Sequence, residues 1–127
     1  LFDRLVNHHK LNNLIWVYNA NEVTGDHVAP YEDFYPGHKY VDILATDVYS
    51  GKYQKSDYDA LKKLANGKPI ALGEVGKMPS PQILREQPDW VWFMVWVDHV
   101  FHANSHDDLQ DIYHTKQVLT RELTGSQ

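Results

Sequence analysis

The chain contains 127 residues, carries a formal charge of −5 and has no cysteine. This length allows one domain with its own apolar core, so we expect residues 1–127 to form a single domain. The acidic balance argues against nucleic-acid binding, and no apolar run approaches the ~18 residues of a membrane span. The lack of cysteine excludes disulfides and thiolate chemistry. Because the chain starts at Leu1, we expect it to be part of a longer protein.

The first third of the chain predicts a helix, a strand and a long loop. Apolar residues within 1–6 recur at helical spacing. Residues 14–18 are continuously apolar and rich in strand-forming side chains, which predicts a buried strand. Amides and a carboxylate in 19–22 favour a loop. Residues 23–39 contain two prolines and several aromatic residues, which predicts a long loop packed against the protein.

The remainder of the chain alternates between apolar runs and helical segments. The sequence predicts strands at 40–46, 69–76 and 91–96, and a helix at 58–65 capped by Ser56 or Asp57. Shorter helices are predicted at 82–86 and 107–113, with a terminal helix or tail at 116–122. Strands that alternate with helical connections predict an α/β fold with a parallel sheet.

Glu74 is the residue around which the chain is organised. It interrupts an otherwise apolar run between Pro69 and Gly76. Because an unpaired charge inside a doubly buried strand is costly, we expect Glu74 at the carboxyl end of its strand, facing a crevice. Its alternative role is that of an ordinary salt-bridge or loop-capping group.

Polar or aromatic residues also follow the other predicted strands. Recurrent functional side chains at the carboxyl ends of parallel strands are typical of the (β/α)8 barrel. Four strands form half of such a barrel, so we predict a parallel (β/α) half barrel. The strand-end candidates are Asn19 or Glu22, Asp47 or Tyr49, Glu74, and Trp96 or Asp98.

Five stretches of this chain together resemble glycoside hydrolase family 26. They are Leu-Ile-Trp-Val-Tyr at 14–18, Tyr-Pro-Gly at 35–37 followed by Tyr-Val-Asp-Ile at 40–43, Asp-Val-Tyr at 47–49, Lys-Pro-Ile-Ala-Leu-Gly-Glu-Val-Gly at 68–76 and Trp-Phe-Met-Val-Trp at 92–96. The resemblance implies β-mannanase or β-glucanase activity by a retaining mechanism on a (β/α)8 barrel. It maps this chain onto strands 5–8 of that barrel.

The resemblance also implies residue roles. Glu74 would be the nucleophile, Tyr49 would hold its carboxylate, and Trp96 would form the floor of the sugar site. We expect Asp47, Asn19 and Glu22 to contact a polysaccharide or oligosaccharide substrate. No cofactor and no metal are implied, and an extracellular location is expected from the family alone.

The family's acid/base glutamate belongs to strand four, which has no counterpart in this chain. Glu22 is the in-chain candidate for that role. A half barrel exposes two strand edges and an apolar face, so we expect a homodimer that completes a barrel. The alternatives are a carbohydrate-binding half barrel without turnover and an inactive fragment of a larger glycosidase.

Three histidines introduce one further hypothesis. His99, His102 and His106 have a helical spacing that could gather imidazoles around zinc. The intervening residues 103–105 favour a turn, and solitary surface histidines are the commoner case. We therefore predict no metal site.

Overall fold

The computed structural model describes residues 1–24 and 28–120. Its centre is one sheet of four parallel strands, which lie side by side in the order β1-β2-β3-β4. The four strands are β1 Val17–Asn21, β2 Ile43–Val48, β3 Ile70–Val75 and β4 Trp90–Val95. This arrangement confirms the predicted parallel α/β sheet.

Helices connect the strands and follow the last of them. The five α-helices are α1 Tyr31–Phe34, α2 Lys55–Ala65, α3 Pro81–Glu86, α4 Val97–His102 and α5 His106–Tyr113. The predicted N-terminal helix is a π-helical turn over Asp3–His8, and His38–Tyr40 form a 3-10 turn. None of the described helices is long and apolar enough to cross a membrane.

The first two strands begin three residues later than the apolar pattern predicts. Parallel pairing of β1 with β2 starts at Val17 opposite Ile43 and continues to Asn21 opposite Asp47. Leu14 and Ile15 lie outside the ladder, and Ile15 is 71% exposed. Hydrogen-bond pairing between strands decides where each strand begins, and apolar composition alone does not report that pairing.

Several helix predictions also require correction. Gln54 occupies the N-cap of α2, without a side-chain hydrogen bond, so the predicted Ser56 and Asp57 caps were wrong. The helix α4 was not predicted. Residues 116–120 form a turn and irregular chain and no helix, and the rest of the predicted terminal helix at 116–122 lies outside the described residues.

The two faces of the sheet have different environments. Helix α2 packs on one face through Leu61, which is fully buried against Leu44 and Ile70. The same face continues through Leu72 and Val75 toward β4. On the other face, called the open face below, Val17 remains 45% exposed. The hydrophobic clusters therefore lie between the sheet and its helices, while Ala45 and Ala71 on the open face are also fully buried.

Candidate active site

Glu74, Tyr49 and Trp96 meet at the carboxyl ends of three neighbouring strands. The Tyr49 hydroxyl donates a hydrogen bond to Oε2 of Glu74 at 2.7 Å. The Trp96 indole Nε1–H donates to the same oxygen at 3.1 Å. Oε1 of Glu74 accepts no hydrogen bond from the described residues, so one carboxylate oxygen is held by two donors and the other by none of these residues.

These two donors keep Glu74 ionised. The hydrogen bond from Tyr49, followed by that from Trp96, lowers the pKa of the Glu74 carboxyl, and desolvation offsets this in part. The same bond raises the pKa of the Tyr49 phenol, since loss of its proton would place two negative charges together. The phenol therefore remains a donor, and the carboxylate remains an acceptor with nucleophilic character.

A bulge at Gly73 brings Glu74 out of the core. Thr46 pairs with Leu72, whereas the next residue of β2, Asp47, pairs with Glu74, so Gly73 is an extra residue in β3. The extra residue reverses the side-chain alternation that follows it. Val75 consequently enters the helix-covered core with 0% exposure, and Glu74 points to the opposite face of the sheet.

Glycine at position 73 is also required by its neighbours. A Cβ at this position would lie 2.1 Å from Oδ1 of Asn19 and 3.1 Å from Oδ1 of Asp47. A contact of 2.1 Å is impossible without displacement of the Asn19 amide. The missing side chain leaves the space in which Asn19 reaches across the sheet to Asp47.

Asn19 and Asp47 form a polar pair beside Glu74. Nδ2 of Asn19 donates to Oδ1 and Oδ2 of Asp47 at 2.8 and 3.0 Å. Burial raises the pKa of Asp47, and the nearby Glu74 charge raises it further, while the bond from Asn19 opposes both effects. Both predicted substrate contacts thus lie in the crevice next to Glu74, on the open face of the sheet.

Glu22, in contrast, is placed outside the crevice. Its side chain is buried, with 8% exposure. One oxygen accepts the N–H groups of Tyr49 and Ser50 at 2.8 and 2.7 Å, and the other accepts the Ser50 hydroxyl at 2.5 Å. This placement does not support the expected sugar contact or acid/base role, because the loop after β2 already occupies the carboxylate.

The Tyr49 ring rests between Gly76 and His99. The ring centroids of Tyr49 and His99 are 5.6 Å apart in an edge-to-face arrangement. A Cβ on Gly76 would approach the Tyr49 ring to 3.3 Å. Gly76, two residues after Glu74, therefore makes room for the tyrosine that binds Glu74, a function that the sequence did not reveal.

Asn104 ties together the two segments that flank the Tyr49 ring. Its Nδ2 donates to the carbonyl oxygens of Gly76 and His99 at 3.3 and 2.8 Å. Its Oδ1 accepts the N–H of Met78 at 2.8 Å. Its sequence neighbours predict only a turn, because no local pattern links Asn104 to residues almost thirty positions earlier.

The three histidines considered for zinc do not form a cluster. His99 packs against Tyr49, as described above. Across residues 1–24 and 28–120, no group of three or more His, Cys, Asp or Glu side chains is arranged to hold a metal ion.

Functional side chains that meet at the carboxyl ends of neighbouring parallel strands are typical of (β/α)8-barrel enzymes. Residues 1–123 match the sequence profile described as glycosyl hydrolase family 26, and the chain belongs to that family. The family resemblance seen in the sequence is thereby confirmed.

Individual relatives agree with this assignment. The chain is 41% identical over 135 residues to a mannan endo-1,4-beta-mannosidase of Thermothelomyces thermophilus, covering 100% of this chain and 26% of that relative. It therefore spans about a quarter of the length of this curated relative.

Solved structures show the same fold. GH26A from Muricauda sp. superimposes with a TM-score of 0.88 and 58% identity, over 95% of this chain and 40% of that one. The GH26-CBM35 beta-(1,4)-mannanase of Podospora anserina gives 0.80 and 36%, over 98% and 28%. These neighbours are (β/α)8 barrels of which the chain covers a part, which confirms the predicted half barrel.

Proposed function

We propose that this chain carries the nucleophile of a retaining glycoside hydrolase that cleaves β-1,4-linked mannan or a related β-glucan. The observation that carries the proposal is the carboxylate of Glu74. Its Oε2 is held by Tyr49 and Trp96, and its Oε1 is free of protein donors among the described residues. A retaining glycosidase needs an ionised, oriented carboxylate of this kind.

In the proposed first step, Oε1 of Glu74 attacks the anomeric carbon of the sugar. A carbon–oxygen bond forms to Glu74 as the glycosidic bond breaks, and the leaving oxygen takes a proton from a second carboxyl group. Water then attacks the same carbon, gives its proton to that second group and releases Glu74. Because both attacks invert the carbon, the product retains the original configuration.

Tyr49 and Trp96 have complementary roles in this mechanism. The Tyr49 phenol orients Glu74 and keeps it ionised. Trp96 is 49% exposed while its N–H is bound to Glu74, so its ring presents an apolar surface beside the reacting oxygen. Aromatic faces of this kind support the apolar side of a pyranose.

The acid/base group is assigned to neither nearby carboxylate. Asp47 is bonded to Asn19 through both oxygens, and Glu22 is occupied by the loop after β2. We propose that Asp47 and Asn19 contact sugar hydroxyls, as the sequence suggested. The choice of β-1,4-mannan is supported by the names of the Thermothelomyces and Podospora relatives. Because such polymers are met outside the cell, we propose an extracellular site of action.

We also propose that the 127-residue chain pairs with a second copy through the outer edges of its sheet, which would complete a barrel. The outer edges of β1 and β4 are unpaired within the described sheet. Apolar side chains remain exposed there, with Ile15 at 71%, Val91 at 55% and Trp92 at 37%. Light scattering should show a dimer, and the melting temperature should rise with concentration. A monomer at every concentration would exclude this association.

The decisive experiment uses an activated substrate, dinitrophenyl β-mannobioside. Its leaving group departs without a proton, so Glu74 can be tested without the acid/base group. We expect a burst of dinitrophenol and a mass increase of one mannobiosyl unit on the peptide containing Glu74. Glu74→Gln should abolish both, while Glu32→Gln, an exposed glutamate on α1, should retain them.

Polymer assays then separate the two functional alternatives. Reducing-sugar release from mannan or β-glucan should fall at least ~10³-fold in Glu74→Ala. If neither labelling nor release occurs and oligosaccharide binding is unchanged by Glu74→Ala, the hydrolase proposal fails and a sugar-binding half barrel remains.

A further inference from the structure

Glu22 is a buried acid that the mechanism above does not use. It follows directly after β1, and its own N–H donates to the carbonyl oxygen of Asp47 at 2.9 Å. Its side-chain carboxylate accepts hydrogen bonds from the N–H groups of Tyr49 and Ser50, which follow β2. The main chain on both sides of Val48 is therefore held by one residue of the neighbouring strand end.

We propose that Glu22 is a positioning residue for Glu74, acting through the main chain of Tyr49 and Ser50. The contacts form a continuous series from the Glu22 carboxylate to the Tyr49 N–H, and from the Tyr49 hydroxyl to Oε2 of Glu74. Only the catalytic part of this inference rests on the proposed function. The positioning of Glu74 is a structural property that can be measured in an inactive protein.

The exposure of Tyr49 explains why such support is needed. Its side chain is 47% exposed, whereas Tyr53, four residues later, is 6% exposed and held by the core. Around its ring, Tyr49 has the edge contact with His99 and the narrow space above Gly76. Because packing restrains Tyr49 weakly, the direction of its phenol depends on how firmly its main chain is held.

The contact between Glu22 and the loop after β2 requires an acceptor oxygen on a side chain of this length. Two consecutive N–H groups converge on Oε1 of Glu22, and the Ser50 hydroxyl donates to Oε2. Without an acceptor at position 22, both main-chain donors would lose their protein partner, and the loop would no longer be tied to the end of β1. No lysine, arginine or histidine of the described chain forms an ion pair with Glu22. Its charge is thus stabilised by the loop that it orders.

Asp57 provides a matched control. It is also a buried acid, with 7% exposure, and its carboxylate accepts a main-chain hydrogen bond from Val23. The groups that act on this carboxylate are Glu22 and the Val23 N–H, and they include neither Tyr49 nor Glu74. A substitution at Asp57 therefore disturbs a buried carboxylate next to Glu22 without removing the contact on which the proposal depends.

The first test is a carbon-13 NMR titration of the Glu74 carboxyl, assigned by its loss in Glu74→Gln. Glu22→Ala should raise the pKa of Glu74 toward the value in Tyr49→Phe, because the phenol no longer points at Oε2. Glu22→Gln should stay close to wild type, since its amide oxygen can accept both N–H groups and its NH2 can donate to Ser50. Asp57→Asn should leave the Glu74 pKa unchanged.

A double variant distinguishes positioning from general destabilisation. In a Tyr49→Phe background, Glu22→Ala should add nothing to the Glu74 pKa change, because the group through which it acts is already missing. An unchanged Glu74 pKa in folded Glu22→Ala, or an equal additional shift in the double variant, would overturn the proposal. If Glu22→Ala does not fold, Glu22→Asp keeps the charge but shortens the reach and should give an intermediate shift. A wild-type Glu74 pKa in Glu22→Asp would overturn it as well.

The catalytic readout uses the activated mannobioside. Glu22→Ala should lower kcat by about 10-fold to 100-fold, as expected for a misplaced reacting group, with KM nearly unchanged. Glu22→Gln should restore most of kcat. If the wild type shows neither a dinitrophenol burst nor labelling of Glu74, the hydrolase proposal fails while the NMR titration still decides the role of Glu22. A drop in kcat that Glu22→Gln does not restore, together with an unshifted Glu74 pKa, would refute positioning.

Discussion

The helix-covered face of the sheet and its open face are built from alternate residues of the same strands, yet they differ in composition and contacts. Leu44, Leu72 and Val75 on the covered face are 0% exposed and pack against apolar neighbours. The open face instead presents Asn19 and Asp47, which are joined by hydrogen bonds. Alternate residues of the same strand therefore serve different purposes: those on the covered face form the apolar core, and those on the open face form the proposed site.

The polar groups on the two faces also differ in charge and in their partners. On the covered face Tyr31 bonds the Thr46 hydroxyl at 2.8 Å, so two neutral groups satisfy one another. On the open face two carboxylates, Asp47 and Glu74, are register neighbours on adjacent strands. Their repulsion contributes to the raised pKa of Asp47. The open face therefore retains charge at some cost to stability, as functional sites commonly do.

The largest expected effect is a loss in the free energy of unfolding when a buried side chain on the covered face is truncated. Leu72→Ala should lower the free energy of unfolding by about 2–5 kcal/mol, because it leaves a cavity among fully buried side chains. Val17→Ala, on the open face where the side chain is 45% exposed, should change it by less than about 0.5 kcal/mol. Urea titrations of both variants measure the contrast. Similar losses in both would show that the open face is also packed.

Gly73→Ala tests the boundary between the two faces. The new methyl group must displace the Asn19 amide and break its bonds to Asp47, at a cost of about 1–3 kcal/mol. In the double variant Gly73→Ala/Asn19→Ala, the total loss should be smaller than the sum of the single losses, because the clash is gone. Strict additivity in thermal unfolding would mean that the strand moves and Asn19 does not.

Tyr49→Phe removes one donor from Glu74 while leaving the covered face intact. The folded pKa of Glu74 lies below its ordinary value because of this bond, so its loss raises that pKa. Because the nucleophile must be ionised, the acid limb of the pH–activity profile should move to higher pH, and kcat should fall about 10-fold. Trp96→Phe, which removes the second donor, should move the same limb by a smaller amount. An unmoved limb in both variants would contradict the assignment of Glu74 as the titrating group.

The smallest expected effect is that of Asp47→Asn, which should stabilise the folded protein. The pKa of Asp47 is raised in the folded protein, so ionisation above that pKa opposes folding, and stability falls as pH rises from the unfolded to the folded pKa. Asp47→Asn should remove this fall and raise the melting temperature at pH 7 by about 1–3 °C, since partial exposure screens the repulsion. Calorimetry at pH 3 and pH 7 measures the change. A lower melting temperature at pH 7 would show that the bond to Asn19 outweighs the repulsion.

Much of this architecture follows from local sequence patterns. Apolar runs predicted all four strands, although β1 and β2 begin three residues later than expected. The position of Glu74 at the end of such a run predicted a carboxylate facing a crevice. The roles proposed for Tyr49 and Trp96 came from the family resemblance, and the structure brings both side chains into contact with Glu74.

Other features depend on pairs of residues that are distant in sequence. The bulge at Gly73 exists only because β3 pairs with β2, and it reverses the alternation that a single strand would show. In the sequence, Glu22 has the position expected of a carboxylate at a strand end. In the structure, the loop 27 residues later donates hydrogen bonds to it. The sequence by itself therefore determined which segments are strands and where the chemistry-bearing residues fall on them. Strand register and non-local hydrogen bonds decided which of those residues face the crevice and which support it.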